Sequence, residues 1–168
     1  MPTFGATSKA NLAEAHPLLQ KLFTEVIKEI DCKVLDAQRG KAAQEEAFRK
    51  GNSKAHFGSS AHNYSPAVAL DVVPWPLDWK DTESFRKLAA VVKRKAKELD
   101  IPITWGGDWK TLVDMPHYEL RPWRDWAKKS KLYDGKKGSQ KGKLLDAEVA
   151  PVASKPKPKP ETTITVKT

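Results

Sequence analysis

Residues 60–74 read SAHNYSPAVALDVVP, a polar loop that runs directly into an apolar strand candidate. The apolar part, residues 67–73 (AVALDVV), is rich in strand-forming residues, and Pro74 and Pro76 end it. Asp71 lies inside this run. Burying an ionised carboxylate is costly unless a cation or several hydrogen-bond donors meet it. The stretch therefore predicts a strand that carries a compensated charge, and a metal ion would supply that compensation.

The histidines of the chain are the other candidate ligands, because its single cysteine, Cys32, allows neither an intrachain disulfide nor a cysteine zinc cage. His62 lies in the loop before Asp71, and His117 belongs to a second motif, residues 114–119 (DMPHYE). Two neutral imidazoles and one carboxylate suit zinc as three protein ligands, with water in the fourth position. An exposed loop histidine and an arginine-paired aspartate remain the ordinary alternatives at this point.

Three residues near these candidates have more open roles. Asp114 lies three residues before His117, where it could act as general base and then general acid, although it could equally form a turn. Glu119 lies two residues after His117, on the same side of a strand, and could orient that ligand from behind. His56 precedes His62 by six residues, and we expect it in the loop or cleft wall rather than on the metal.

Arg39 precedes a predicted helix, and Gln44 follows it five positions later. An arginine at a helix entrance can bind a substrate carboxylate through two N–H groups or stabilise a developing oxyanion. A surface salt bridge is the alternative. We expect Gln44 beside the site as a supporting residue.

Hydrophobic periodicity predicts an α+β domain with three helices packed on a small, mainly antiparallel sheet. One helix spans Ser8–Ile30, with Ser8 as its N-cap and a break near His16 because Pro17 cannot continue a helix. The other two helices are 40–50 and 81–99, the latter capped by Asp81 or Thr82. The predicted strands are 33–37, 67–73, 101–105 and 115–120.

The charge is divided unevenly between a body, residues 1–127, and a tail, residues 128–168. The chain carries +9, of which the tail carries +7 from 11 lysines and four acidic residues. Because the body is nearly neutral, we expect no specific nucleic-acid binding. Lysine, glycine and proline dominate the tail, which predicts a flexible segment that binds anionic envelope surfaces. No apolar run approaches the roughly 18 residues of a membrane span.

Four short motifs, in this order and spacing, resemble the D-alanyl-D-alanine carboxypeptidase/dipeptidase-like zinc metallopeptidases: Arg39 with Gln44, Ser60-x-His62, Asp71 with Val-Val-Pro, and Asp114-x-x-His117-x-Glu119. The long-loop form SSAHNYSPAVALDVVPWP is most similar to the phage L-alanyl-D-glutamate endopeptidases, or endolysins. The resemblance covers roughly residues 8–126. It implies one zinc ion per chain, held by His62, Asp71 and His117, with Asp114 as the catalytic base.

The same resemblance implies that Arg39 holds the substrate or its oxyanion and that Ser60 lines the substrate cleft. Gly40 departs from the family pattern, which usually has Thr or Ser after the arginine, and this weakens the assignment of Arg39. The distance from His62 to Asp71 is longer than in the dipeptidase branch and favours the endopeptidase branch.

The implied activity is hydrolysis of an amide in the peptidoglycan stem peptide, for host lysis. Residues 1–10 lack the features of a secretory signal peptide, so we expect a protein made in the host cytoplasm that reaches the wall after membrane permeabilisation. We also expect it to be a monomer. One rival is a D-alanyl-D-alanine carboxypeptidase or dipeptidase. A second is a non-catalytic, zinc-stabilised wall-binding module, which would need no base such as Asp114. A third is a nucleic-acid binder that uses the tail.

Overall fold

A computed structural model describes residues 1–135 of the chain. Within this part the helices, in chain order, are α1 (Ala6–Leu12), α2 (Pro17–Glu29), α3 (Lys41–Arg49), α4 (Thr82–Leu99) and α5 (Trp123–Ala127). The strands are β1 (Cys32–Asp36), β2 (Tyr64–Ser65), β3 (Ala69–Pro74), β4 (Ile103–Trp105), β5 (His117–Leu120) and β6 (Lys131–Leu132).

The main sheet has four antiparallel strands in the order β1-β3-β5-β4, and a small ribbon pairs β2 with β6. The predicted α+β class with an antiparallel sheet is therefore confirmed. Strand β3, which carries Asp71, is an inner strand, as its continuous apolar sequence indicates. Its neighbours β1 and β5 bring their own polar side chains next to that carboxylate.

Helices α2 and α4 pack together and close the core over the sheet. Each has one apolar stripe at three- and four-residue spacing, which is typical of a helix that faces a core on one side. The buried stripe of α2 consists of Leu19, Leu22, Phe23, Val26 and Ile27. That of α4 consists of Phe85, Leu88, Ala89, Val92 and Ala96. None of the described helices is long and apolar enough to cross a membrane.

The predicted helix from Ser8 to Ile30 forms two helices instead of one. Pro17 occupies the first turn of α2, where its missing N–H costs nothing, and His16 caps that helix by accepting from Leu18 N–H at 3.0 Å. The assignment of Ser8 as N-cap is wrong. Ser8 lies inside α1, where its buried hydroxyl accepts from Val34 N–H at 3.0 Å. This tertiary bond ties α1 to the sheet.

The other predicted elements are present with shifted ends. Asp81 caps α4 as predicted, accepting from Ser84 N–H at 3.2 Å. The last predicted strand begins at His117 rather than Met115, because Pro116 and the residues before it form the turn that leads into it. Cys32 lies buried in β1, and burial raises the pKa of its thiol to about 12.

The segment after residue 127 begins with residues that contact the domain. Strand β6 pairs with β2, and Ser130 donates its hydroxyl to Pro66 O at 3.0 Å. The proposed boundary at residue 127 thus precedes a short stretch, residues 128–135, with defined contacts to the body. The rest of the proposed tail, from residue 136 onward, lies outside the described residues.

Candidate metal centre

Sheet register brings two of the predicted ligands together. Asp71 of β3 pairs directly with His117 of β5. His62 comes from a 3-10 turn, Ala61–Asn63, just before β2, and Ser60 caps this turn by accepting from His62 N–H at 3.2 Å. Within residues 1–135, His62, Asp71 and His117 form a group of side chains that could hold a metal ion.

The three facing atoms of this cluster form a nearly equilateral triangle. His62 Nε2 lies 3.3 Å from His117 Nδ1, while Asp71 Oδ1 lies 3.3 Å from His62 Nε2 and 3.4 Å from His117 Nδ1. Tetrahedral zinc with bonds of roughly 2.0–2.1 Å separates its ligand atoms by about 3.3 Å. Among the described residues Asp71 Oδ1 is also buried without a hydrogen-bond donor. Both observations fit a small divalent cation bound by these atoms.

The opposite nitrogen of each histidine is held by an acceptor. His62 Nδ1–H donates to Ala37 O at 2.8 Å, and His117 Nε2–H donates to Glu119 Oε1 at 2.7 Å. An acceptor on one ring nitrogen fixes the proton there and leaves the other nitrogen as the ligand atom. Both rings thus present their ligand nitrogens towards Asp71, as metal-binding histidines do.

The pKa shifts of Asp71 and His117 both favour positive charge at the cluster. Burial disfavours the ionised form of Asp71, but the adjacent rings of His62 and His117 outweigh it and hold the pKa of Asp71 well below its ordinary value. Burial likewise disfavours protonated His117. The nearby Asp71 carboxylate, the hydrogen bond with Glu119 and the charge of Asp114 prevail and raise the pKa of His117 to about 10. A proton on His117 would balance part of the negative charge of the nearby carboxylates, and a bound metal ion would supply the same positive charge.

Arg39 contacts Asp71 and also Asp36 and Gln44. Its Nε and Nη2 donate to Asp36 Oδ2 at 3.1 and 3.0 Å, and its Nη1 donates to Gln44 Oε1 at 3.0 Å. Nη2 also lies 3.5 Å from Asp71 Oδ2. The guanidinium thus lies within ion-pair distance of the Asp71 carboxylate. Burial lowers the pKa of Arg39, but Asp36, Asp71 and Asp114 outweigh it and raise the pKa, so the group stays charged.

Asp114 lies in the turn before β5. Its backbone is fixed by a hydrogen bond from Asp114 N–H to Gly106 O at 3.0 Å and by another from His117 N–H to Asp114 O at 3.2 Å. A side chain at Gly106 would collide with Asp114 O at 2.3 Å, so a glycine is required for this close approach. The carboxylate charge of Asp114 acts on both Arg39 and His117. The structure thus brings the candidate base to the cluster.

Gln44 and Asn63 form a buried amide pair beside the site. Gln44 was expected as a supporting residue, and its side chain is fully buried, accepting from both Arg39 and Asn63. Asn63 was not identified from the sequence, although its position three residues after Ser60 in a capping pattern is a signal for it. His56 is exposed and contacts Glu45 and Phe48, away from the three-ligand cluster.

A model of the family described as phage L-alanyl-D-glutamate peptidase matches residues 2–135. The chain belongs to this family. It is 32% identical to the Serratia marcescens L-Ala D-Glu endopeptidase ChiX, whose crystal structure superimposes with a TM-score of 0.64 over 74% of this chain and 94% of that one. The match thus covers about three quarters of this chain and nearly all of ChiX.

Two curated relatives are similar at lower identity. The peptidoglycan L-alanyl-D-glutamate endopeptidase CwlK of Bacillus subtilis is 29% identical over 56% of this chain, and the aligned part spans 64% of CwlK. The L-alanyl-D-glutamate peptidase of Escherichia phage T5 is 27% identical over 70% of this chain and 88% of its own length.

In this family member one tryptophan borders the cluster directly. The ring of Trp109, on the loop between β4 and β5, lies 5.2 Å from the ring of His117 at an angle of 42°. Two exposed apolar residues, Leu112 and Val113, continue the same loop up to Asp114. Through Trp109 the loop thus places an aromatic ring beside the site.

Proposed function

We propose that this protein is a zinc-dependent peptidoglycan endopeptidase, an endolysin that hydrolyses the L-alanyl-D-glutamate amide of the stem peptide for host lysis. The observation that carries the proposal is the triangle formed by His62 Nε2, Asp71 Oδ1 and His117 Nδ1, with edges of 3.3 to 3.4 Å. Membership of the phage L-alanyl-D-glutamate peptidase family supports the choice of bond. We place its action on the wall after the host membrane is permeabilised.

One zinc ion per chain would be held by His62, Asp71 and His117, and when bound it would act as a Lewis acid and lower the pKa of water. The chain's own groups move the protons. Asp114 takes the proton of the attacking water and passes it to the amine that leaves. Its backbone contact with His117 supports this role, because the contact fixes the base relative to a ligand.

Arg39 has two proposed tasks. Its contacts with Asp36, Asp71 and Gln44 support a role in orienting the carboxylate ligand. The hydrogen bonds to Asp36 and Gln44 use three of the five N–H groups of the guanidinium, and we propose that the remaining ones help to stabilise the oxyanion or bind a substrate carboxylate. Ser60, half-buried beside His62, would line the cleft.

The main alternative is a D-alanyl-D-alanine carboxypeptidase or dipeptidase, which uses the same chemistry on another bond. Purified stem peptides that contain both bonds distinguish the two when the digest is analysed by mass spectrometry. We expect a new amino-terminal D-glutamate. Release of free D-alanine instead would assign the carboxypeptidase activity, and an uncut substrate in the presence of zinc would favour a binding module.

A further inference from the structure

Residues 130–135, called the strap below, run alongside the loop that follows the 3-10 turn. Their strand β6 pairs antiparallel with β2. Beyond this pairing, Tyr133 N–H donates to Asn63 O at 2.8 Å, and the Ser130 hydroxyl donates to Pro66 O at 3.0 Å. The strap is thus bonded to the chain on both sides of β2, beginning one residue after a metal-ligand candidate.

The other edge of the strap packs against the turn that opens α3. Lys41 N–H donates to Asp134 O at 3.3 Å. A Cβ atom at Gly40 would lie 2.7 Å from Gly135 Cα and 2.9 Å from Asp134 O. Both are backbone atoms, so the strap itself would have to move to accommodate a side chain. Gly40 has an ordinary extended conformation, with φ −79°, and it is therefore the close approach of the strap that requires a glycine here.

His62 lies between these two attachments. Arg39 N–H donates to His62 O at 2.7 Å, which joins the ligand to the turn before α3. The Asn63 side chain donates to Arg39 O at 3.0 Å and accepts from Gly58 N–H and Ser60 N–H. The backbone of the 3-10 turn that carries His62 is thus held in two ways. It bonds directly to Arg39, just before α3, and it bonds to the strap through Asn63.

We propose that the strap is a positioning element of the metal centre. By holding Asn63 and packing on Gly40, it fixes the backbone around His62 so that Nε2 faces Asp71 and His117. Without the strap this segment would have to be ordered when the metal binds, and that ordering lowers affinity. The inference rests on the proposed metal site, but the strap residues themselves are not metal ligands.

One matched pair of variants in the full chain isolates the packing contact. Gly40 and Gly5 are both helix N-caps with φ −79° and ψ near 180°, so replacement by alanine has the same effect on capping at both sites. A Cβ at Gly5 meets nothing within 4 Å, whereas one at Gly40 meets the strap. Gly40→Ala therefore displaces the strap, and Gly5→Ala is its control.

A second matched pair tests the strap from its own side. Tyr133→Pro removes the N–H that donates to Asn63 O. In an antiparallel ladder, hydrogen-bonded and non-hydrogen-bonded residue pairs alternate. Because Tyr133 bonds to Asn63, the next pair, Leu132 with Tyr64, is the non-hydrogen-bonded one. The N–H of Leu132 therefore points away from β2, and Leu132→Pro leaves the hydrogen bonds of the ladder intact. Tyr133→Ala retains the N–H and controls for loss of the ring.

Two readouts decide the proposal. The first is the zinc dissociation constant from competition with a chromophoric chelator. The second is hydrogen exchange of the Arg39 amide in the metal-free protein, since this amide donates to His62 O. We expect Gly40→Ala and Tyr133→Pro to weaken zinc binding about 10-fold or more, the usual effect of losing a group that orients a ligand. Both should also speed Arg39 exchange, while the controls change neither readout.

Native zinc affinity and native Arg39 exchange in both strap variants would overturn the proposal. Thermal melts of the metal-free variants identify any that fail to fold, and the other variant then decides. Unfolding of both would also contradict it, because the strap would then stabilise the whole domain rather than the metal centre. If the unaltered protein binds no zinc, the proposed function fails, whereas the Arg39 exchange rate still reports whether the strap fixes His62.

Discussion

Glu119 Oε1 lies 2.7 Å from His117 Nε2, the ring nitrogen opposite the one that faces Asp71. The strand places these two side chains on the same face because they are two residues apart. A carboxylate in this position fixes the ring and raises the basicity of the ligand nitrogen. If His117 binds a metal, the Glu119 carboxylate should therefore strengthen that binding.

We expect Glu119→Gln to weaken zinc binding by roughly 10- to 100-fold, the usual effect of losing a ligand's outer hydrogen-bond partner. The amide can still accept from His117, but it carries no charge. Chelator competition measures the affinity. Glu83→Gln is the control, because Glu83 is exposed and pairs only loosely with Arg86 at 3.6 Å. Equal affinity in both variants would mean that Glu119 does not act on the ligand.

Replacement of His62 by alanine should abolish stabilisation by zinc. At a free zinc concentration of 100 times the dissociation constant, binding stabilises a native protein by about 2.7 kcal/mol. Thermal melts with and without zinc, together with elemental analysis, measure the loss. His56→Ala is the matched control, since His56 is exposed and pairs with Glu45. A zinc-dependent shift that persists in the His62 variant would exclude His62 as a ligand.

Asp114→Asn should retain zinc and the fold but lower kcat by roughly 10² to 10⁴, the range for general acid–base groups. Asparagine has nearly the same shape but cannot take a proton from water. Asp108→Asn is the control, because Asp108 is exposed and pairs with Lys93 at 2.6 Å. Near-normal turnover with bound zinc would point to another base, such as Glu119, and loss of zinc would make Asp114 a ligand.

The basic segment after residue 135 is expected to bind anionic envelope surfaces. It contains eight lysines and three acidic residues, for a net charge of +5. A chain that ends at Gly135 retains the strap and should cleave small soluble muropeptides at the full rate. On intact walls it should be slower, and the difference should vanish as salt rises, because the Debye length is only about 8 Å at physiological ionic strength. Equal rates on walls at low salt would contradict this role.

The fold class was predictable because its signals are local, whereas the set of three candidate ligands was drawn from distant parts of the chain and followed from the family resemblance. An apolar run with one aspartate indicates an inner strand that needs a cation, and helical periodicity identifies α2 and α4. The break at Pro17 follows from the chemistry of proline. The N-cap of α1 was not predictable, because the Ser8 hydroxyl accepts a tertiary hydrogen bond from Val34 N–H instead of capping the helix.

The contacts around the candidate ligands could not be predicted from the sequence, because several of them involve backbone atoms. The acceptor for His62 is the backbone carbonyl of Ala37, and a carbonyl has no sequence signature. The strap reaches Asn63 through backbone pairing, which any residue type except proline could form. Gly40 appeared in the sequence as a departure from the family pattern. The approach of Gly135 supplies a steric reason for it.

The most direct test of a zinc endopeptidase is to titrate the metal-free protein with zinc while new amino-terminal D-glutamate is measured on purified stem peptides. The account predicts no cleavage without metal and activity that rises linearly and stops at one zinc per chain. Cleavage at full rate by the metal-free protein, or release of D-alanine in place of amino-terminal D-glutamate, would contradict it.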